Sequence, residues 1–181
     1  MRNLLLLSSV ILVTSANSAL MPRAESLTLQ IKMESGGTIA IKLNSTGAPK
    51  AVERITSLAK SGFYDGQKFF KVVKSPKPFL VQFGDPNSRN KSMDDPDLGK
   101  YKTGVQVPFE DSGLKHVRGA VGLARLGENK NSGDTQFYIM LDSAPFLDGQ
   151  YTVFGNVSSG MNVVDGIKPG DTVVSVKVVS E

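Results

Sequence analysis

The segment Lys68–Pro86, KFFKVVKSPKPFLVQFGDP, opens on alternating apolar and basic residues, breaks at Pro76 and Pro78, and resumes with apolar residues around one amide, Gln82. Runs of aromatic and β-branched residues on either side of a proline break read as two short strands, Lys68–Val73 and Phe79–Phe83. Upstream, Leu27, Leu29, Ile31 and Met33 keep the two-residue period of a half-buried strand. ESGG then reads as a hairpin turn and TIAIKL as the returning strand. APKAVERITSLAKSG sets Pro49 at a first helical position, Val52, Ile55, Leu58 and Ala59 on one face, and Gly62 as a stop. Downstream, strands are predicted at Ala120–Ala124, Gln136–Leu141, Tyr151–Val157 and Thr172–Val179, with a short helix near Met161–Gly166. Many short strands with one helix near each end predict a mainly β fold: an antiparallel barrel, closed or nearly so, capped by two helices. The polar, turn-rich stretch NSRNKSMDDPDLGKYKT, Asn87–Thr103, reads as a long surface loop, and loops of that length inside compact domains tend to be functional or mobile.

At 181 residues the chain has the length of one domain. Its start, MRNLLLLSSVILVTSANSAL, has the layout of an export signal, with a basic Arg2, an apolar run from Leu4 to Val13 and small residues through Ala19. That apolar run is short for a membrane span. The expected organisation is a signal peptide at 1–19, a short extension at 20–26 and one domain at 27–181. The expected address is therefore periplasmic or extracellular, with no stable membrane association after cleavage. Export usually brings disulfides, but the chain has no Cys, so packing and the backbone ladder must carry its stability. The formal net charge of +4 falls by one, to +3, once Arg2 is gone; spread along the chain, this is a solvated surface and no nucleic-acid partner is expected.

Several chemistries are disfavoured by composition. With His116 as the single histidine and no cysteine, a zinc or iron site would need carboxylates almost alone, and no metal is expected. The aspartates of MDDPDLG suit a hard cation in type, but their spacing does not match an EF-hand loop, and a plain acidic loop is expected. A Ser-His-Asp triad would need His116 as its base, yet this residue precedes an apolar strand with no serine elbow nearby, which points to a structural role. Neither glycine-rich phosphate-binding motif is present, and no cofactor is expected.

Four segments in this order, FYDGQKFFKVV, FLVQFGDP, GAVGLARLGENKNSGDTQFYIML and FLDGQYTVFGNVSSGMNVVDGI, resemble the cyclophilin family of peptidyl-prolyl cis–trans isomerases. The similarity runs from about Leu27 to the C-terminus, and DTQFYI and LDGQYTVFG are its most specific parts. The resemblance implies a closed eight-stranded antiparallel β-barrel capped by two α-helices, acting on proline-containing polypeptides without a cofactor. Such chemistry breaks no covalent bond: rotation about X–Pro faces a resonance barrier of about 18–20 kcal/mol. An apolar seat for the ring, polar groups for the turning carbonyl and a cation near the prolyl nitrogen suffice.

By that resemblance Phe79 and Leu80 match the family's pocket pair, Gln82 the glutamine that orients substrate and cation, and Tyr138 the second aromatic of its S-Q-F-F-I segment, with Gln136 as the amide. Ala124 and Arg125 match the strand whose backbone pairs with the residue before proline. Phe146 and Leu147 match the rim pair, and Tyr151 stands where many members place histidine or tyrosine. The family's Phe-His-Arg-Val-Ile reads Phe69-Phe70-Lys71-Val72-Val73 here, so Lys71 replaces the catalytic arginine and Phe70 its neighbouring histidine. Lysine keeps the charge but lacks the planar fork that Gln82 would pin, which leaves two readings open: an isomerase of normal or reduced activity, and a proline-binding or chaperone-like module of the same fold that has lost catalysis. KSPKP, Lys74–Pro78, carries about two residues more than the family pattern and is expected to shift Lys71 relative to Phe79; Phe83 puts a side chain into the family's Gly-Gly-Asp turn. Phe146 in place of the rim tryptophan implies weak cyclosporin binding, and a monomer is expected.

Overall fold

The turn Glu34–Gly37 folds the chain back so that β1 (Leu27–Met33) pairs antiparallel with β2 (Thr38–Leu43), with Leu29 opposite Ile41 and Ile31 opposite Ile39. This pair is the starting ribbon of a computed structural model that describes residues 26–180. The remaining strands are β3 (Lys71–Val73), β4 (Leu80–Phe83), β5 (Ala120–Leu123), β6 (Phe137–Met140), β7 (Val153–Ser159) and β8 (Val173–Ser180), with helices α1 (Pro49–Lys60) and α2 (Met161–Gly166). All eight strands form one antiparallel sheet in the order β3-β4-β6-β5-β7-β2-β1-β8. The signal peptide and most of the 20–26 extension lie outside the described residues.

The expected closed barrel is instead a curled half-barrel. Its two edge strands, β3 and β8, share no ladder, and the seam between them is crossed by an isolated bridge from Lys68 to Thr172. The cause lies in the run expected to be a strand from Lys68. There the backbone of Phe69 bonds the 170–171 turn, through Phe69 N–H to the Asp171 carbonyl at 3.0 Å and Gly170 N–H to the Phe69 carbonyl at 2.9 Å. Residues committed to that turn cannot also ladder with β4, so β3 shrinks to three residues.

Alternation gives the sheet two apolar faces. Val81, Phe83, Val121, Leu123, Phe137 and Ile139 point inward to a core with Ile31, Ile41, Ile55, Tyr64, Phe69 and Phe154. The intervening Leu80, Ala120, Tyr138 and Met140 point outward into a second, smaller cluster with Ala144 and Val153. Phe83 finds its room in the core, with ring centroids 4.7 Å from Phe69 and 4.6 Å from Phe137. Helix α1 turns Val52, Ile55, Leu58 and Ala59 to the core, as its spacing predicts, and packs against β8. Its Ala48 N-cap has no capping side chain; Glu110 supplies one from a distant loop, accepting from the N–H groups of Lys50 at 3.0 Å and Ala51 at 2.9 Å.

The 87–103 loop is tied down at both ends. Buried Asp85 accepts from Asn87 N–H at 2.9 Å with one oxygen and from Gly99 N–H at 2.7 Å with the other. At the far end Asp134 accepts from Thr103 N–H and from the Arg54 guanidinium, each at 2.6 Å. Within the loop, Asp95 and Asp97 are paired with Lys91 and Lys100, so these aspartates act as ion-pair partners.

Candidate active site

One rung of the sheet builds the centre of the site. Strand register sets Lys71 beside Gln82, Gln82 beside Tyr138, and Tyr138 beside Gly122, so four side-chain positions from four strands share the outward face. At about 4.8 Å per strand, Lys71 and Tyr138 lie about 10 Å apart at their backbones, a span that one proline and its flanking peptide groups can fill. The rung opens into a groove of about 320 Å³. Phe79, Leu80, Tyr138, Leu147 and Tyr151 give it apolar walls, Gln82 an amide, and Lys71 and Arg125 its charges.

Ten of the twelve expected site residues line this groove: Phe70, Lys71, Phe79, Leu80, Gln82, Ala124, Arg125, Tyr138, Leu147 and Tyr151. Gln136 lies one layer behind, where its Oε1 accepts from Gln82 Nε2 at 3.0 Å and its Nε2 donates to the Gly99 carbonyl at 3.0 Å. Phe146 stands outside, 72% exposed, its ring stacked on Phe79 at 6.0 Å between centroids. The KSPKP segment, Lys74–Pro78, forms the β3–β4 turn, with Phe79 N–H bonding the Val73 carbonyl at 2.9 Å and Lys71 opposite Gln82. Lys74 donates to the carbonyls of Asp165 and Ile167 at the end of α2, which holds this turn away from the groove.

Two groups at the site were not expected from sequence. Leu98 and Gly99 come from the long loop and form the groove's lip. Gly99 has φ of +86° and its missing Cβ would sit 3.1 Å from the Phe70 ring, so glycine is what lets the loop close on that aromatic. The second is a buried hydrogen-bonded row behind the floor. The Tyr138 hydroxyl is 3.0 Å from His116 Nε2, and His116 Nδ1 is 2.9 Å from Asp148 Oδ1. Hydrogen bonds from the His116 backbone and ring hold the Asp148 carboxyl below the usual carboxylate range, so it accepts from Nδ1–H, and Nε2 accepts from Tyr138. Burial pushes the Tyr138 hydroxyl far up, which keeps it protonated and donating. The hydroxyl also needs Gly122: a Cβ there would lie 2.3 Å from it. A tyrosine on a buried strand position demands a polar partner, and the single histidine of the chain was the available signal.

The profile of the family described as cyclophilin type peptidyl-prolyl cis-trans isomerase/CLD matches residues 28–180, nearly the whole described chain. This chain belongs to that family. A Brucella suis relative named "Probable peptidyl-prolyl cis-trans isomerase" is 42% identical over 137 residues, 74% of this chain and 68% of the relative. A Helicobacter pylori peptidyl-prolyl cis-trans isomerase is 35% identical over 142 residues, 77% and 80% of the two chains. Among solved structures, a Cryptosporidium parvum cyclophilin type peptidyl-prolyl cis-trans isomerase superposes with a TM-score of 0.71 at 26% identity, covering 87% of this chain and 98% of that one. In this cyclophilin the Lys71 cation is not pinned by Gln82. Gln82 donates its amide N–H to Gln136, and among the described residues the Lys71 ammonium has no hydrogen-bond or ion-pair partner.

Proposed function

We propose that this cyclophilin isomerises X–Pro bonds in exported polypeptides, with Lys71 as a working but weakly positioned cation. The observation that supports this most is the rung itself, which sets the Lys71 position, the Gln82 amide and the Tyr138 ring in one groove of a size suited to a proline and its neighbours. The proline ring would lie among Phe79, Leu80, Tyr138 and Leu147. Gln82 and the backbone of Ala124 and Arg125 would hold the peptide groups, and Lys71 would approach the prolyl nitrogen, favouring the pyramidal form in which amide resonance is lost. No proton transfer or covalent intermediate is required. Export is supported by the signal-like residues 1–19 and weak cyclosporin binding by Phe146; a monomer is part of the same proposal.

A second reading is carried by the unpinned Lys71: a cyclophilin fold that binds proline segments with little catalysis. A displacement of about 1 Å at a reacting group can cost on the order of 10²-fold in rate, so a cation without a fixed partner is a plausible route to such a binder. Exchange NMR on an Ala-Pro peptide with the chain from Leu20 onward and its Lys71→Ala and Lys71→Arg variants separates the two. Isomerisation by the native chain, lost in the alanine variant and raised roughly tenfold or more in the arginine variant, supports the first reading. Silence of the native chain with turnover by Lys71→Arg supports the second. Silence of all three, at enzyme near substrate concentration, sinks the isomerase reading.

A further inference from the structure

The groove carries two cations and no carboxylate on its walls. Lys71 comes from the β3 end of the rung, and Arg125, two residues beyond the end of β5, enters from the other side, with its guanidinium carbon 4.6 Å above the centre of the Tyr151 ring. That stacking and a 2.6 Å bond from Arg125 Nη1 to the Gly127 carbonyl fix the guanidinium in place without neutralising it. Arg125 Nε is buried and has no hydrogen-bond partner. The nearby acids are engaged elsewhere: Asp134 by Arg54 and Thr103, and Asp148 by His116 and Lys115. Among the described residues no ion pair includes Lys71 or Arg125.

Burying part of a peptide between two unneutralised cations favours a ligand that brings its own negative charge. We propose that the groove selects proline segments with an aspartate or glutamate directly beside the proline, and that Arg125 is the residue that determines this preference. The carboxylate meets a guanidinium whose fork is already oriented by Tyr151, so little side-chain freedom is lost on pairing. Lys71, being flexible, adds attraction without geometry. Together the two fields favour an acidic peptide over its amide isostere about three- to tenfold at low ionic strength, in the range of partly exposed ion pairs. Salt at about 0.5 M shortens the screening length to a few ångströms and should remove most of the difference.

This inference rests on the isomerase reading, and one experiment tells the two apart. Terminally blocked Ala-Glu-Pro-Ala and Ala-Pro-Glu-Ala peptides, with their Gln isosteres, are compared by exchange NMR for rate and by chemical-shift titration for Kd, so that the side chain is the sole carboxylate. The expected result is a Glu/Gln ratio of about three to ten for at least one position, carried by KM or Kd. It falls towards one in high salt and in Arg125→Gln, whatever that variant's absolute rate, and is partly kept in Arg125→Lys. A ratio near one in the native chain, or a ratio that survives Arg125→Gln, overturns the proposal while leaving an active isomerase intact. If no peptide is isomerised, the isomerase reading falls, and the same Kd ratios still decide the proposal.

Discussion

Tyr138 is the residue on which the groove's geometry turns, because its ring lines the groove while its hydroxyl is buried against His116. Replacing it with phenylalanine keeps the ring but leaves His116 Nε2 buried without a donor, which should cost about 1–3 kcal/mol in chemical denaturation. His116 in turn ties the floor to Asp148, and the sign of the resulting pH dependence follows from the lowered carboxyl. A depressed folded value means stability that is fully present above the unfolded carboxylate value of about 3.9 and lost as pH falls through the lower folded one. The native chain should therefore lose stability below about pH 4. In Asp148→Asn, denaturant midpoints measured from pH 6 to pH 2 should show a shallower decline, with Asp95 and Asp97, also lowered, supplying part of what remains.

Between the strands, Asp85 decides how the long loop meets the groove. Asp85→Ala strips an acceptor from both Asn87 and Gly99, which should cost about 2–4 kcal/mol and speed amide hydrogen exchange first at Gly99 and its neighbours. Equal protection across the whole chain in that variant would contradict the anchoring role. Elements of this kind were only half legible in the sequence. Strands with clean alternation, such as Leu27–Met33, and the helix with its Pro49 start were readable because local pattern and tertiary burial agree there. Lys68–Val73 is just as rich in aromatic and β-branched residues, yet its first half is captured by the 170–171 turn, a partner about a hundred residues away that no local pattern records. The groove walls were found through family register. The lip at Leu98 and Gly99 was missed because its position depends on one carboxylate, Asp85, reaching across fourteen residues.

At the scale of the molecule, stability rests on one inner core and one open sheet with no disulfide to support them. Unfolding should be a single transition, with tyrosine fluorescence and far-UV circular dichroism sharing one midpoint that does not move when a reductant is added. Phe137→Ala, at the crowded centre of the core, should lower both signals together by about 3–5 kcal/mol. Alternation along β4, β5 and β6 has a further consequence for anyone who would re-engineer this protein. The three strands carry two scripts on alternate letters: 81, 83, 121, 137 and 139 spell durability, while 80, 82 and 138 spell appetite. A library confined to the second set can rewrite what the groove accepts while leaving the inner script unread. A one-residue insertion upstream in any of the three strands would instead swap the two scripts and garble both.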